Sequence, residues 1–226
     1  GLASMSRGAE NPLQCLNTAT NTASCNMTFS DTGFQFLVDG SAANIPTQLS
    51  GKPSNVGYNA STLSLQSIQT SPITGACESA LVGNANVEFV AQCTNPTSCA
   101  GQQVTINGTP ISTQDSDESL SYTNVTMDFG NNTDNTADFV FTYPDAGRVM
   151  FQARYNIPVE GVPSGNYMSG STNSFTVRPL GFYVDVAGNT AATDHNGGAY
   201  KKAGEDFDVT ITAKAWGAGD DANADG

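Results

Sequence analysis

The apolar residues of this chain fall at every second position, in short bursts. Between 85 and 93, Val87, Phe89 and Ala91 alternate with Glu88, Val90 and Gln92, the period of a half-buried β-strand. Phe139, Phe141 and Tyr143 then alternate with Asp138, Val140 and Thr142. After the turn YPDAG at 143–147, Val149, Phe151, Ala153 and Tyr155 alternate with Met150, Gln152 and Arg154. These two strands are expected to pair or to pack closely.

Further strands are predicted at 33–38, 62–70, 103–107, 121–129, 174–178, 182–187 and 206–215, each bounded by Gly, Pro, Asn or Asp clusters. The last alternates most regularly, with Phe207, Val209, Ile211, Ala213 and Ala215 inward and Asp208, Thr210, Thr212 and Lys214 outward, so it calls for a core. No stretch holds a helical period. Many short strands with turn chemistry between them predict an all-β fold, an Ig-like antiparallel β-sandwich followed by the start of a second Ig-like sandwich.

The Arg178-Pro179 step marks a boundary, because proline ends ladder pairing and stiffens a joint. The expected organisation is therefore the tail of a preceding module and a disulfide loop over 1–24, an Ig-like sandwich over 25–179, and the N-terminal strands of a second Ig-like domain over 180–226. The start without Met and the end on Asp-Gly lead us to expect a piece of a longer protein.

Charge narrows the function. Eight basic residues face twenty-one acidic ones, a net charge of -13, so a polyanion such as nucleic acid is repelled and calcium becomes the candidate ion. Charged residues are only 13% of the chain against about 25% in an average soluble protein, which fits an extracellular β protein with a Ser-, Thr- and Asn-rich surface. Residues 1–11 lack a basic start followed by an apolar run, and apolar runs stop far short of the ~20 residues that span a bilayer, so no membrane insertion is expected of this segment.

The five cysteines, Cys15, Cys25, Cys77, Cys93 and Cys99, form no C-x-x-C pair, and the single histidine, His195, is distant, so disulfides in an oxidising compartment fit better than zinc. Cys15 is expected to pair with Cys25. The odd count leaves one free thiol or an outside partner, and Cys77, Cys93 and Cys99 stay open.

Candidate chemistry is sparse. The run DDANADG at 220–226 places Asp221, Asn223 and Asp225 like the first half of a calcium loop without its closing Glu. An acidic, Gly-containing tail produces the same string. Tyr143, Asp145 and Gly147 resemble the tyrosine corner of Ig-like sandwiches, a structural site in which the hydroxyl bonds to nearby backbone. The DHNGG run at 194–198 suits a turn better than histidine catalysis, and Asp115, Asp117 and Glu118 lie in a solvated run ill suited to raising a carboxyl pKa. Tyr58, Tyr122, Tyr167 and Trp216 could face a sugar or protein ligand, and serve equally well as core or edge residues.

Several segments in order carry a resemblance: CNMTFSDTGF at 25–34, IPTQLSGKPS at 45–54, TGACE at 74–78, CTNPTSC at 93–99 and SFTVRP at 174–179. Together they are similar to the large C-terminal domain of MshQ-type bacterial surface proteins, encoded with MSHA-type pili. The resemblance implies an exported, extracellular or cell-surface, non-enzymatic module with Ig-like units. Its implied partners are other domains of the same protein, pilus components or host and surface ligands, and it supplies no catalytic residues. The rival readings are a calcium-dependent carbohydrate-binding β-sandwich and a matrix polysaccharide hydrolase. A third is strand exchange between copies through the incomplete second unit.

Overall fold

The computed structural model describes residues 32–71, 73–99, 102–116, 119–130, 135–159, 161–188, 200–221 and 223, and the backbone of 16–17 and 22–23. Among them every regular element is a strand. In chain order these are β1 (Leu16–Asn17), β2 (Thr22–Ala23), β3 (Thr32–Val38), β4 (Gln48–Leu49), β5 (Leu63–Thr70), β6 (Cys77–Ser79), β7 (Asn84–Asn95), β8 (Thr105–Ile106) and β9 (Thr109–Pro110). There follow β10 (Ser112–Gln114), β11 (Thr123–Asp128), β12 (Thr136–Phe139), β13 (Phe141–Thr142), β14 (Gly147–Val159), β15 (Val162–Ser171), β16 (Phe175–Arg178), β17 (Gly181–Asp185) and β18 (Thr210–Lys214).

Two long strands organise the larger layer. β7 and β14 pair antiparallel through Arg154↔Glu88 and Phe151↔Ala91, and each is long enough to serve two neighbours in succession on its outer edge. β7 takes β11 along its first half and β10 along its second. β14 takes β16 first and β15 after it, and β4 closes the sheet beyond β16. The smaller layer runs β12-β5-β3 with β6 on the end of β5. After Val140 the chain of β12 continues into β13, which pairs with β8 in a short three-stranded sheet.

The core lies between these layers. Val87, Phe89 and Ala91 of β7 and Val149, Phe151 and Ala153 of β14 are buried, as their alternation predicts, and they face Phe34 and Phe36 of β3, Leu63 and Leu65 of β5 and Phe139 of β12. Aromatic rings interlock across the gap: Phe89 and Phe139 at 6.3 Å, Phe34 and Phe129 at 6.2 Å, and the trio Phe141, Phe151 and Phe175 at 5.0–5.4 Å. Such edge and tilted pairs add to the area they bury.

Four features refine the expected fold. The strands around Phe141 and Phe151 pack closely, ring to ring, which is one of the two arrangements expected of them, and the 143–147 turn carries the chain from one layer to the other rather than back along its own strand. The sheets are not wholly antiparallel: β10 on β7 and β4 on β16 are parallel. β15 escapes an alternation search because its Gly, Ser, Asn and Pro side chains are mostly exposed; its backbone ladder on β14 makes it a strand. The 206–215 run forms β18 and pairs with β17, but Phe182, Val184, Phe207, Val209 and Ile211 are 47–68% exposed. Register places Phe182 against Ala213 and Val184 against Ile211 on one face, so the alternation is amphipathic as predicted, while among the described residues no second layer buries this two-stranded ribbon.

Candidate functional site

Three places on this scaffold carry polar or charged side chains with specific contacts of their own. The first is the corner at 143–147. Tyr143 is 2% exposed, and its hydroxyl lies 3.9 Å from Cys93 Sγ, where a corner tyrosine would meet a backbone carbonyl. Cys93 is bonded to Cys99, which closes the loop after β7, so the hydroxyl is the donor in that contact. Asp115 secures the same loop, its carboxylate accepting the Cys99 backbone N–H at 2.6 Å. Asp145 Oδ1 accepts the Ala146 N–H at 2.8 Å, and Gly147 opens β14 opposite Val177.

Burial, and then the neighbouring Asp145 charge, push the Tyr143 hydroxyl from its ordinary 10.0 up to about 12. Above pH 10 the unfolded chain releases this proton while the folded chain keeps it, so stability must fall as pH rises from about 10 to 12. Tyr143→Phe is expected to lose little at pH 7 and to escape the alkaline loss, which for the wild type is on the order of 2 kcal/mol. Urea midpoints of both proteins between pH 8 and 11.5 check this; parallel curves would refute it.

The second place is the outward face of the larger sheet. Arg154 of β14 bonds through Nε to Glu88 Oε2 on β7, its cross-strand partner. Its guanidinium carbon sits 3.8 Å from the ring centre of Tyr122 and 4.3 Å from that of Tyr167, so the cation is stacked between two tyrosines brought from the start of β11 and from β15. Tyr122 Oη meets Gln152 Oε1 at 3.4 Å, and Gln152 Nε2 meets Gln92 Oε1 at 3.3 Å. Tyr122 and Tyr167 are sequence candidates; Arg154, Glu88 and Gln152 are not, and outward placement on alternating strands is the only signal they carry. Tyr58 takes a different cation, Arg178, 4.9 Å from its ring centre.

The third is the joint with the β17–β18 ribbon. The segment after β4 bonds in three directions: Ser50 N–H to Arg178 O, Gly51 N–H to Tyr143 O and Ser54 N–H to Phe141 O. Ser50 O in turn accepts the Trp216 N–H at 2.8 Å, just past β18. Lys52 is 1% exposed and donates through Nζ to the carbonyls of Pro53 and Val56; burial lowers its pKa. A lysine folded over its own loop satisfies carbonyls that would otherwise be buried bare.

The remaining candidates separate. Cys15, Cys25, Asp117, Glu118, Asp194, His195, Asn196 and Asp225 lie outside the described residues. Cys77 is in no disulfide: it is an exposed free thiol on β6, a short strand at the margin of the smaller layer. Asp221 accepts the Asn223 backbone N–H at 2.9 Å. Asp220 is held below the usual carboxylate range by Lys214 and by the Gly217 N–H, which closes a turn. Among the described residues no three His, Cys, Asp or Glu side chains converge as a metal set, so the calcium reading of the tail gains no geometry here. No helix among them is long and apolar enough to cross a membrane.

Comparison with protein families gives two matches in tandem. The domain of unknown function DUF6701, in its first Ig-like domain, matches residues 12–171, and its second domain matches 178–226. No curated protein and no solved structure matches the chain. Residues 172–177, which include most of β16, lie between the two matches, and the chain belongs to the DUF6701 family.

Proposed function

We propose that this chain is a non-catalytic structural and interaction module of an exported bacterial surface protein, of the MshQ-like, pilus-associated kind, acting outside the cell. The observation that carries the reading is the joint: a two-layered β unit, closed by Cys93–Cys99, runs directly into a second unit and is tied to it through Ser50 and Trp216. Such a tie restrains two units that a bare linker would leave free to move, as a spacer in a stalk requires. The disulfide and the net charge of -13 support an oxidising, exposed setting. Asp115, the described member of the acidic cluster, supports a structural role, since its carboxylate caps the disulfide loop.

Two measurements test this. Cys77, exposed and unpaired, is expected to react with a membrane-impermeant maleimide on intact cells, with Cys77→Ser as the control. Labelling only after lysis would overturn the extracellular location. Deleting the segment from its native gene is expected to reduce surface attachment, and unchanged attachment with normal pili would overturn the adhesive role.

A further inference from the structure

We propose that the Tyr122–Arg154–Tyr167 stack is a binding site for neutral polysaccharide. The inference rests on the chain being an extracellular interaction module and adds a ligand class and a place. Its foundation is the number of groups already committed to one another. Arg154 is fixed by Glu88 on β7 and clamped by rings from two other strands, so the cluster spans β11, β7, β14 and β15. None of this is required to close the core, which lies on the opposite face of the same strands.

The chemistry of the face selects the ligand. Tyrosine offers a rigid apolar ring with a polar tip, at a low cost in side-chain entropy because two torsions fix it. Tyr167 retains 41% of its surface exposed. A pyranose offers the complement, a patch of C–H groups to lie on a ring and hydroxyls to bond at its rim. Around the rings the register places amides: Gln152 beside Tyr122, Gln92 bonded to Gln152, Asn124 opposite Glu88 and Asn156 opposite Tyr167. Amides donate and accept at once, as sugar hydroxyls do.

Charge decides between neutral and acidic glycans. The central cation is cancelled by Glu88, with which it shares a hydrogen bond, and the chain as a whole carries -13, so a uronate-rich polymer is repelled at distance and finds no unpaired guanidinium on arrival. Pre-arranged side chains also lower the ordering cost of binding, which matters for a flat site that buries little.

The experiment is affinity electrophoresis of the full chain through gels containing a β-glucan, an α-glucan, a xylan or a galactomannan, with alginate as the acidic counterpart. At least one neutral polymer is expected to retard the wild type. Tyr167→Ala and Tyr122→Ala should each weaken that retardation about tenfold, as loss of a ring at the centre of a site does. Arg154→Lys should weaken it too, because an ammonium cannot hold both rings as a planar guanidinium does. Thermal midpoints within a few degrees of wild type establish that the variants are folded. Retardation by none of the neutral polymers, by alginate alone, or equally in Tyr167→Ala overturns the site. Capture of a cell-surface protein through the same tyrosines, with no polysaccharide retarding the chain, overturns it as well. Because Cys77 labelling on intact cells is read separately, failure here leaves the extracellular module standing.

Discussion

Gly170→Val is expected to lower the stability of the first unit by about 3 kcal/mol, the upper end of what overpacking does. Gly170 lies near the end of β15, which there passes over β3 of the opposite layer without joining its ladder. A Cβ at this position would overlap the Phe34 carbonyl oxygen and come within 2.9 Å of the Phe34 carbonyl carbon and Cβ. Backbone cannot rotate away as a side-chain tip can, so either β15 lifts from β3 or Phe34 shifts. Phe34 stacks on Phe129 at 6.2 Å, and moving it opens the core at that edge. Gly170→Ala should give a smaller loss of the same sign. Urea unfolding of the three proteins reads the effect as a lower midpoint at constant slope; a midpoint unchanged in Gly170→Val would mean that the layers do not approach closely there.

Alternation at 85–93 and 149–155 names the core-facing side of β7 and β14, because a strand with one wet face must repeat at two, but it misses Val90, which is buried on the outward side. It does not name the partner. The turn chemistry of YPDAG signals a reversal between Phe141 and Phe151 without distinguishing a hairpin from a crossing between layers, and the structure has the crossing. β15 carries no alternating pattern of its own, since Met168 is its one buried residue, and its ladder follows the length of β14. The alternation at 206–215 likewise states which side is apolar and is silent on whether anything covers it.

The candidate site was hidden for a related reason. Tyr122, Arg154 and Tyr167 are far apart in the chain, and each sits at an outward position where a polar or aromatic residue is unremarkable. Only the registers Arg154↔Glu88, Glu88↔Asn124 and Asn156↔Tyr167 bring them to one patch, and register is the property of a sheet least readable from a single strand. Cysteine pairing was half legible: close spacing allows Cys93 to reach Cys99, but spacing cannot exclude Cys77, which the sheet places on the other layer's margin.

The run at 45–54 gains a physical meaning from the same structure. Ile45, Gln48, Leu49, Ser50, Lys52 and Ser54 are all buried, although three of them are polar and one is a lysine. A segment that must bond Arg178, Tyr143, Phe141 and Trp216 within five residues needs polar groups turned inward, where Gln48 Nε2, Lys52 Nζ and Ser54 Oγ find backbone partners, and this is why its hydropathy reads as a loop while its burial is that of a core element.

Gly51→Val is expected to break the joint. Gly51 has φ +78°, a region that a β-branched residue enters only at a cost of about 1–3 kcal/mol. A Cβ there would also stand 2.5 Å from the Trp216 carbonyl oxygen and 3.4 Å from Ala215 Cβ, so the valine confronts the ribbon's own backbone. The Ser50–Trp216 bond is the thread that must yield, because the alternative is to tear Gly51 from Tyr143 inside the first unit. Trp216 is the one tryptophan of the chain and is half-buried, so its emission reports on the joint directly. In Gly51→Val the emission should shift to that of a solvated indole and become accessible to iodide, while the first unit loses about 1–3 kcal/mol of stability, read as a lower urea midpoint. Serine at position 51 should give an intermediate result, having a Cβ but no branch. Emission identical to wild type in the folded valine variant would show that the surroundings of Trp216 do not depend on Ser50 and Gly51, and would overturn the joint.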